Sequence, residues 1–418
     1  MKSILIKMKN EDVSFWLYLE PYTLIFKGKG ATVVYNTLNG CYLRFVDDVV
    51  VKILDDLLLL DKGYCIPVNI KMAKNRFVIS FIRKIRSTFS GDIFVDRNMQ
   101  ENNKPFIFLP KLCLYHDVER IKKEQGKSLG EVILRNLTDV TCFLPGVCTH
   151  SCKFCSFYCK QFVHCSKFDS IKKMTIDDYR ELFERLEVAG LSKLNLVLNS
   201  LSLQFLQSLL TELKKYTFEV EFYLDVKNID QNIKYILMDN YRINISISLF
   251  DYNKKEISDL VSSYNNDNIY WNCILDNNTC FDMLDDSNYN ITLLPFYNGE
   301  NELFFSENVY ISMSDILDST VSKQQIFRRQ ILNEFYFGKL IILPSGDTYA
   351  NINLLPLGNI LENSLASILL NEFENSTSWL KLRDGEICGK CENRYLCPSI
   401  SNYEFVIGKE NLCHVYSK

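Results

Sequence analysis

The residues best equipped for chemistry stand close together: Cys148, Cys152 and Cys155 at C-x3-C-x2-C spacing, with Phe154 just before the third. Three thiolates on one tight loop can hold three irons of a four-iron cluster and leave the fourth iron without a protein ligand. An open metal position is where a substrate or cofactor binds, which is what separates catalytic from structural metal sites. Phe154 places an apolar ring beside that open iron. A zinc knuckle is the competing reading, because His150, Cys159, His164 and Cys165 all offer a fourth ligand nearby. A second set, Cys388, Cys391, Cys397 and Cys413, follows C-x2-C-x5-C and then 15 further residues. That pattern is a strong metal signal in its own right, for zinc or for iron and sulfur.

Composition narrows the setting. A chain of 418 residues has room for two or three domains, and 47% apolar with 13% aromatic content excludes a disordered one. The net charge of −4 offers no basic field to nucleic acid or to an anionic membrane. The first residues, MKSILIKMKNEDVS, lack an apolar core of signal-peptide length, and no run approaches a membrane span. Fifteen cysteines without an export signal suit metal ligation in a reducing cytoplasm better than a disulfide framework.

The elements that must position these residues fall into four parts. Residues 1–97 read as a small domain with strands at 22–26, 31–35 and 41–45, the last two joined through Asn39-Gly40. Asp48 is expected to cap a helix whose apolar side is Val49, Val50, Ile53, Leu54, Leu57 and Leu58. A second helix puts Phe77, Val78, Phe81, Ile82, Ile85 and Phe89 on one face, with Gly91 as its stop. Residues 98–136 read as a connector. Within 137–325, strands are expected to start near 139, 193, 220, 242, 269 and 289, with helices between them. Thr175-x-x-Asp178 opens one of those helices and Gly190 ends it. Six βα-type units point to a partial (β/α)6 TIM-like barrel, with ligands at the carboxyl ends of the strands. Residues 326–418 form a C-terminal module with a hairpin turning at Pro344-Ser345-Gly346-Asp347.

Taken together, the cysteine triad, the βα alternation and the C-terminal cysteines resemble radical S-adenosylmethionine (SAM) enzymes with a SPASM domain, which mature ribosomally made peptides. The group most similar is the pseudo-rSAM/SPASM proteins that accompany GG-leader peptides in Bacteroidales. That likeness rests on Tyr158-Cys159-Lys160-Gln161-Phe162, Gly338-Lys339-Leu340 and the stretch from Cys397-Pro398 to Ser401-Asn402-Tyr403-Glu404. Members of that group tend to have lost the triad, which this chain retains.

The resemblance implies a radical SAM [4Fe-4S] cluster on Cys148, Cys152 and Cys155, with Phe154 packed on the adenine of SAM. It also implies one auxiliary [4Fe-4S] cluster on Cys388, Cys391, Cys397 and Cys413. A further auxiliary cluster is not expected, because Phe335, Asn351 and Ser401 stand where its cysteines would be. The Gly-Gly-Glu-type turn that grips SAM is replaced by Asn199-Ser200-Leu201-Ser202. Asn199 and Ser200 can still bond the ammonium through their oxygens, and Asp225 can supply a carboxylate at the same rim. The first domain is similar to a RiPP recognition element, a winged-helix-like module that pairs a precursor's leader with an edge strand, here 41–45. The implied partners are that precursor and a reductant such as flavodoxin or ferredoxin. The alternative is a catalytically weak scaffold that presents the precursor to a partner maturase.

Overall fold

Short runs of β-branched and aromatic residues open the part of the chain that the computed structural model describes. The described residues are 15–59, 62–94, 133–146, 160–163, 173–198, 202–229, 235–236, 239–264, 266–283 and 290–415. Strand β1 is Phe15–Leu19, and β2 (Thr23–Lys27), β3 (Thr32–Asn36) and β4 (Tyr42–Phe45) form an antiparallel meander. The strands expected at 22–26, 31–35 and 41–45 are therefore present within a residue. The helix Asp48–Leu58 is capped by Asp47, whose side chain accepts from Val49 N and Val50 N. Asp48, expected as the cap, is the first helical residue instead. Val50, Ile53, Leu54 and Leu57 are buried, while Val49 and Leu58 at the ends of the stripe are exposed.

After β5 (Cys65–Val68) the helix Arg76–Ser87 buries Val78, Phe81, Ile82 and Ile85. It ends at Thr88, so Phe89 lies beyond it and is exposed, and Phe77 is exposed as well. Gly91 is not its stop but the first residue of β6 (Gly91–Phe94), which pairs with β1. Strands β5, β1 and β6 form a second small sheet, and both sheets share one core with the two helices.

The large sheet comes next. Its strands are β7 (Asp139–Phe143), β8 (Lys193–Val197), β9 (Glu219–Asp225), β10 (Arg242–Ser248), β11 (Ile269–Leu275) and β12 (Ile291–Pro295). They lie side by side in chain order, every pairing parallel. Helices Ile176–Ala189, Leu203–Leu213 and Lys254–Ser263 cover one face with Phe183, Leu186, Leu209, Leu213 and Ile257. The first of them has the expected Thr175/Asp178 capping box and ends at Gly190 in the left-handed conformation. Apolar residues on alternate strand positions meet these helices, as a covered parallel sheet requires.

The hairpin expected at the C-terminal turn is present as β13 (Lys339–Ile342) and β14 (Asp347–Tyr349). It is also part of the large sheet: β13 runs parallel to β7, and β14 and the short β15 (Gly358–Asn359) extend that edge. The result is a mixed α/β fold with a large, mostly parallel sheet. Among the described residues no helix is long and apolar enough to cross a membrane.

Gly338 makes the junction. Its carbonyl accepts from Thr138 N at 2.8 Å and Asp139 N at 3.0 Å, and its φ is +81°. A Cβ there would stand 2.7 Å from Asn136 O and 2.8 Å from Thr138 Oγ1. Gly338→Ala is therefore expected to cost about 2 kcal/mol or more, since left-handed strain and a backbone clash add. A urea-unfolding midpoint equal to that of the wild type would refute this.

Candidate functional site

Four of the candidate cysteines lie in the described C-terminal module, which is built around a buried ion pair. Arg383 and Glu404 are 7% and 2% exposed and meet twice, at 2.7 and 2.9 Å. The remaining Arg383 N–H groups go to the carbonyls of Pro398, Ser399 at 3.2 Å and Glu410 at 3.3 Å. A buried charge persists only when paired and hydrogen-bonded, and this one is saturated. Glu404 also closes a capping box with Ser401 at the start of the helix Asn402–Ile407.

Around that pair the cysteines stand on tight turns. Cys391 N bonds Cys388 O at 3.1 Å and Cys397 N bonds Asn393 O at 3.0 Å. Cys413 is carried by a bridge to Ile311. Cys391 Sγ accepts from Asn393 N at 3.4 Å, the kind of N–H contact that favours a thiolate. Burial pushes Cys391 up to about 11 and Cys397 up to about 12, and the charges of the neighbouring cysteines push the same way. Burial also raises Cys388, against the Arg383 guanidinium beside it, which favours its thiolate. Binding a cation would offset the cost of burying the Cys388, Cys391 and Cys397 thiolates. Among the described residues no group of three or more His, Cys, Asp or Glu side chains stands in closed metal-holding geometry. Drawing the sulfurs to bonding distance is what a bound ion would do. Cys388, Cys391, Cys397 and Cys413 are the residues that would hold a metal or cluster there. Among the described residues Cys41, Cys142, Cys273, Cys280, Cys388, Cys391 and Cys397 are free thiols.

Cys148, Cys152, Phe154 and Cys155 lie outside the described residues, as do Asn199 and Ser200. Their flanks are described and firmly held. Leu144 N bonds Val197 O at 3.0 Å where β7 ends, and Leu198 N bonds Tyr223 O at 2.8 Å where β8 ends. Ser202 caps the helix Leu203–Leu213. Where the chain resumes after the triad, Asn402 Nδ2 donates to Lys160 O at 2.7 Å and Gln161 O at 3.0 Å. Asn402 Oδ1 accepts from Tyr336, Asn351 and Asn353. Gln161 bonds the backbone of Tyr297 in both directions, at 2.7 and 2.9 Å, and Phe162 packs on Phe296 and Tyr403. This asparagine cluster, missed by sequence reasoning, ties the exit of the triad loop to the C-terminal module. Asn351 and Ser401, noted as replacing cysteines, thus serve as a hydrogen-bonding core residue and a helix cap.

The sheet face turned away from the helices carries a row of polar side chains, several of them buried. Toward the strand starts, Glu221 is held by Lys193 at 2.7 Å, Arg242 at 3.4 Å, Tyr223 at 3.1 Å and Asn244 at 3.2 Å. Two residues further along β9, past Tyr223, Asp225 caps the turn Val226–Asn228 through Lys227 N at 2.9 Å. Ser246 pairs in register with Asp225 on one side and Asn272 on the other. Ser246 Oγ and Asn272 Nδ2 are buried without a hydrogen-bond partner, and so is Asn195 Oδ1. Buried unpartnered polar atoms are rare and costly, and they mark a place shaped for something else to bond. Asn195 lies level with Glu221, and Asn272 is the middle residue of β11 beside Ser246, so these atoms lie part-way along the strands. Toward the carboxyl ends the same face carries Phe143, Val197 and Ile274 in apolar clusters, with Asp225 at the end of β9.

No protein-family model matches the chain, and no curated protein is similar to it.

Two outcomes follow from this geometry. Arg383→Met strands a buried carboxylate and should cost about 3–5 kcal/mol, whereas Arg383→Met with Glu404→Met should recover most of it. Equal denaturation midpoints for the single and double variants would contradict this. Asn402→Ala should speed amide exchange in residues 160–163 by about tenfold, because those amides then answer to local opening. Unchanged rates would remove Asn402 from that role.

Proposed function

We propose that this chain is a radical SAM/SPASM-type enzyme that modifies a ribosomally made precursor peptide. The observation that carries the reading is the order of the large sheet. Six parallel strands run in chain sequence, and the cysteine triad follows the carboxyl end of the first, where a partial (β/α)6 barrel keeps its ligands. The buried, unpartnered Ser246 and Asn272 atoms on the same sheet, and the C-x2-C-x5-C spacing of the C-terminal cysteines, support it independently.

On this reading Cys148, Cys152 and Cys155 hold the first cluster, and Cys388, Cys391, Cys397 and Cys413 hold an auxiliary one. Phe154, Asn199, Ser200 and Asp225 receive SAM. When bound and reduced, the cluster and SAM together supply a radical that takes hydrogen from an unactivated C–H bond. The chain's own contribution is placement. Leu144 and Leu198 fix the entrances to the two SAM-facing turns, Asn402 and Gln161 fix the exit of the cysteine loop, and the unpartnered Ser246 and Asn272 atoms offer neutral hydrogen bonds. The winged-helix-like first domain takes the leader on β4, whose described pairing is with β3 alone, beside the helix Arg76–Ser87.

After anaerobic reconstitution the chain should hold about eight irons, from two four-iron clusters, and a variant of the four C-terminal cysteines about four. With precursor, reductant and saturating SAM, the wild type should form 5′-deoxyadenosine. The Cys148→Ala, Cys152→Ala, Cys155→Ala variant should not. Background-level product from both would leave a precursor-presenting scaffold as the function.

A further inference from the structure

We propose that the four-cysteine loop is also the seat of the N-terminal meander, so that a metal held by the loop fixes strand β4. The proposal rests on reading the four thiols as a metal site. The meander's outer face packs partly on residues 316–326, where Val321 N donates to Tyr35 OH at 2.7 Å, and its end at β4 meets residues between Cys388 and Cys397. Lys29 N donates to Lys390 O at 2.9 Å. Arg44 Nε meets the Glu392 carboxylate at 2.9 Å, and Tyr42 OH donates to Asn393 Oδ1 at 2.8 Å. Tyr395 stacks obliquely on Phe26, with ring centroids 5.8 Å apart. Leu396 shares a buried cluster with Leu24, Phe26, Val33 and Tyr35.

The approach is close enough to demand a glycine. A Cβ on Gly28 would lie 2.7 Å from Glu392 N and 2.5 Å from its Oε2. The path from sulfur to strand is also short. Asn393 gives its backbone N–H to Cys391 Sγ, its carbonyl to Cys397 N, and its side-chain oxygen to the Tyr42 hydroxyl. One residue therefore touches two candidate ligands and the meander. A backbone between metal ligands is ordered when they are bound and loosened when they are released. The contacts at Lys390, Glu392 and Asn393 exist only while that backbone holds its shape. Releasing the metal should then free the β4 end of the meander's outer face, while its inner face keeps its own core of Val34, Phe45, Ile53 and Phe81.

The test uses the full chain loaded with zinc ion, or with iron and sulfide, and then stripped by a chelator. Metal content is measured by mass spectrometry, and amide exchange is followed by peptide. Stripping should speed exchange about tenfold in 388–397 and in 42–45, and leave β9 and β10 unchanged, as expected for a local unit. Gly28→Val and Arg44→Ala keep all four cysteines. Both should still bind metal, but exchange in 42–45 should no longer respond to it. If metal leaves and only 388–397 responds, the coupling is wrong while the metal reading stands. A chain that takes up no metal at these cysteines overturns both.

Discussion

Three segments that are far apart in the C-terminal module meet on one guanidinium. Arg383 bonds the Pro398–Ser399 backbone just after Cys397, the Glu410 carbonyl three residues before Cys413, and Glu404 on the helix that follows. Each bond is modest, but removing the centre would leave a buried carboxylate and several buried carbonyls unpaired at once. The positions of the cysteines depend on this charge being satisfied. So does the helix Asn402–Ile407, whose first residue, Asn402, reaches back to the exit of the triad loop. A single buried ion pair therefore underlies the four-cysteine turns and the clamp on the large sheet's principal loop.

The large sheet divides its two faces by chemistry. Its helix-facing side is aliphatic and aromatic, and it is buried from β7 to β11, while β12 at the edge is partly exposed. Its other side carries Lys193, Glu221 and Arg242 as a neutralised cluster, then Asp225, Ser246 and Asn272. Charged groups held in mutual contact brace the starts of the strands, and unpartnered amide and hydroxyl groups follow part-way along them.

Much of this was legible in the sequence, because periodicity and caps are local signals. The parallel strands, the Thr175/Asp178 box, the Gly190 stop and the meander all follow from patterns within ten residues. The misplaced details have equally local causes. Asp47 and Asp48 are adjacent carboxylates, and only the geometry of the first turn decides which one caps. Phe89 continues the helical stripe but follows the helix end, where Thr88 donates back to Lys84. Strands β1, β5 and β6 gave no signal because they are four or five residues long, one of them contains Pro67, and none alternates cleanly. The asparagine cluster was invisible for another reason. Asn351, Asn353 and Asn402 have no common spacing with Lys160, and polar residues in loops look alike until they meet. Residues 147–159 and 199–201, on which the triad and the Asn199-Ser200 readings fall, lie outside the described residues.

The place of β13 beside β7 has a consequence for how the chain comes into being. Strand β7 is made early, yet one of its two neighbours is not synthesised until about 200 residues later, the separation of Thr138 from Gly338. During synthesis its edge stays open while β8 to β12 assemble on the other side, and open apolar edges recruit other chains. Such long-range closure also slows folding, since the loop must be closed before its contacts are gained. The nascent chain is thus most vulnerable to misassembly between the emergence of β7 and that of β13, and chaperone binding belongs in that interval.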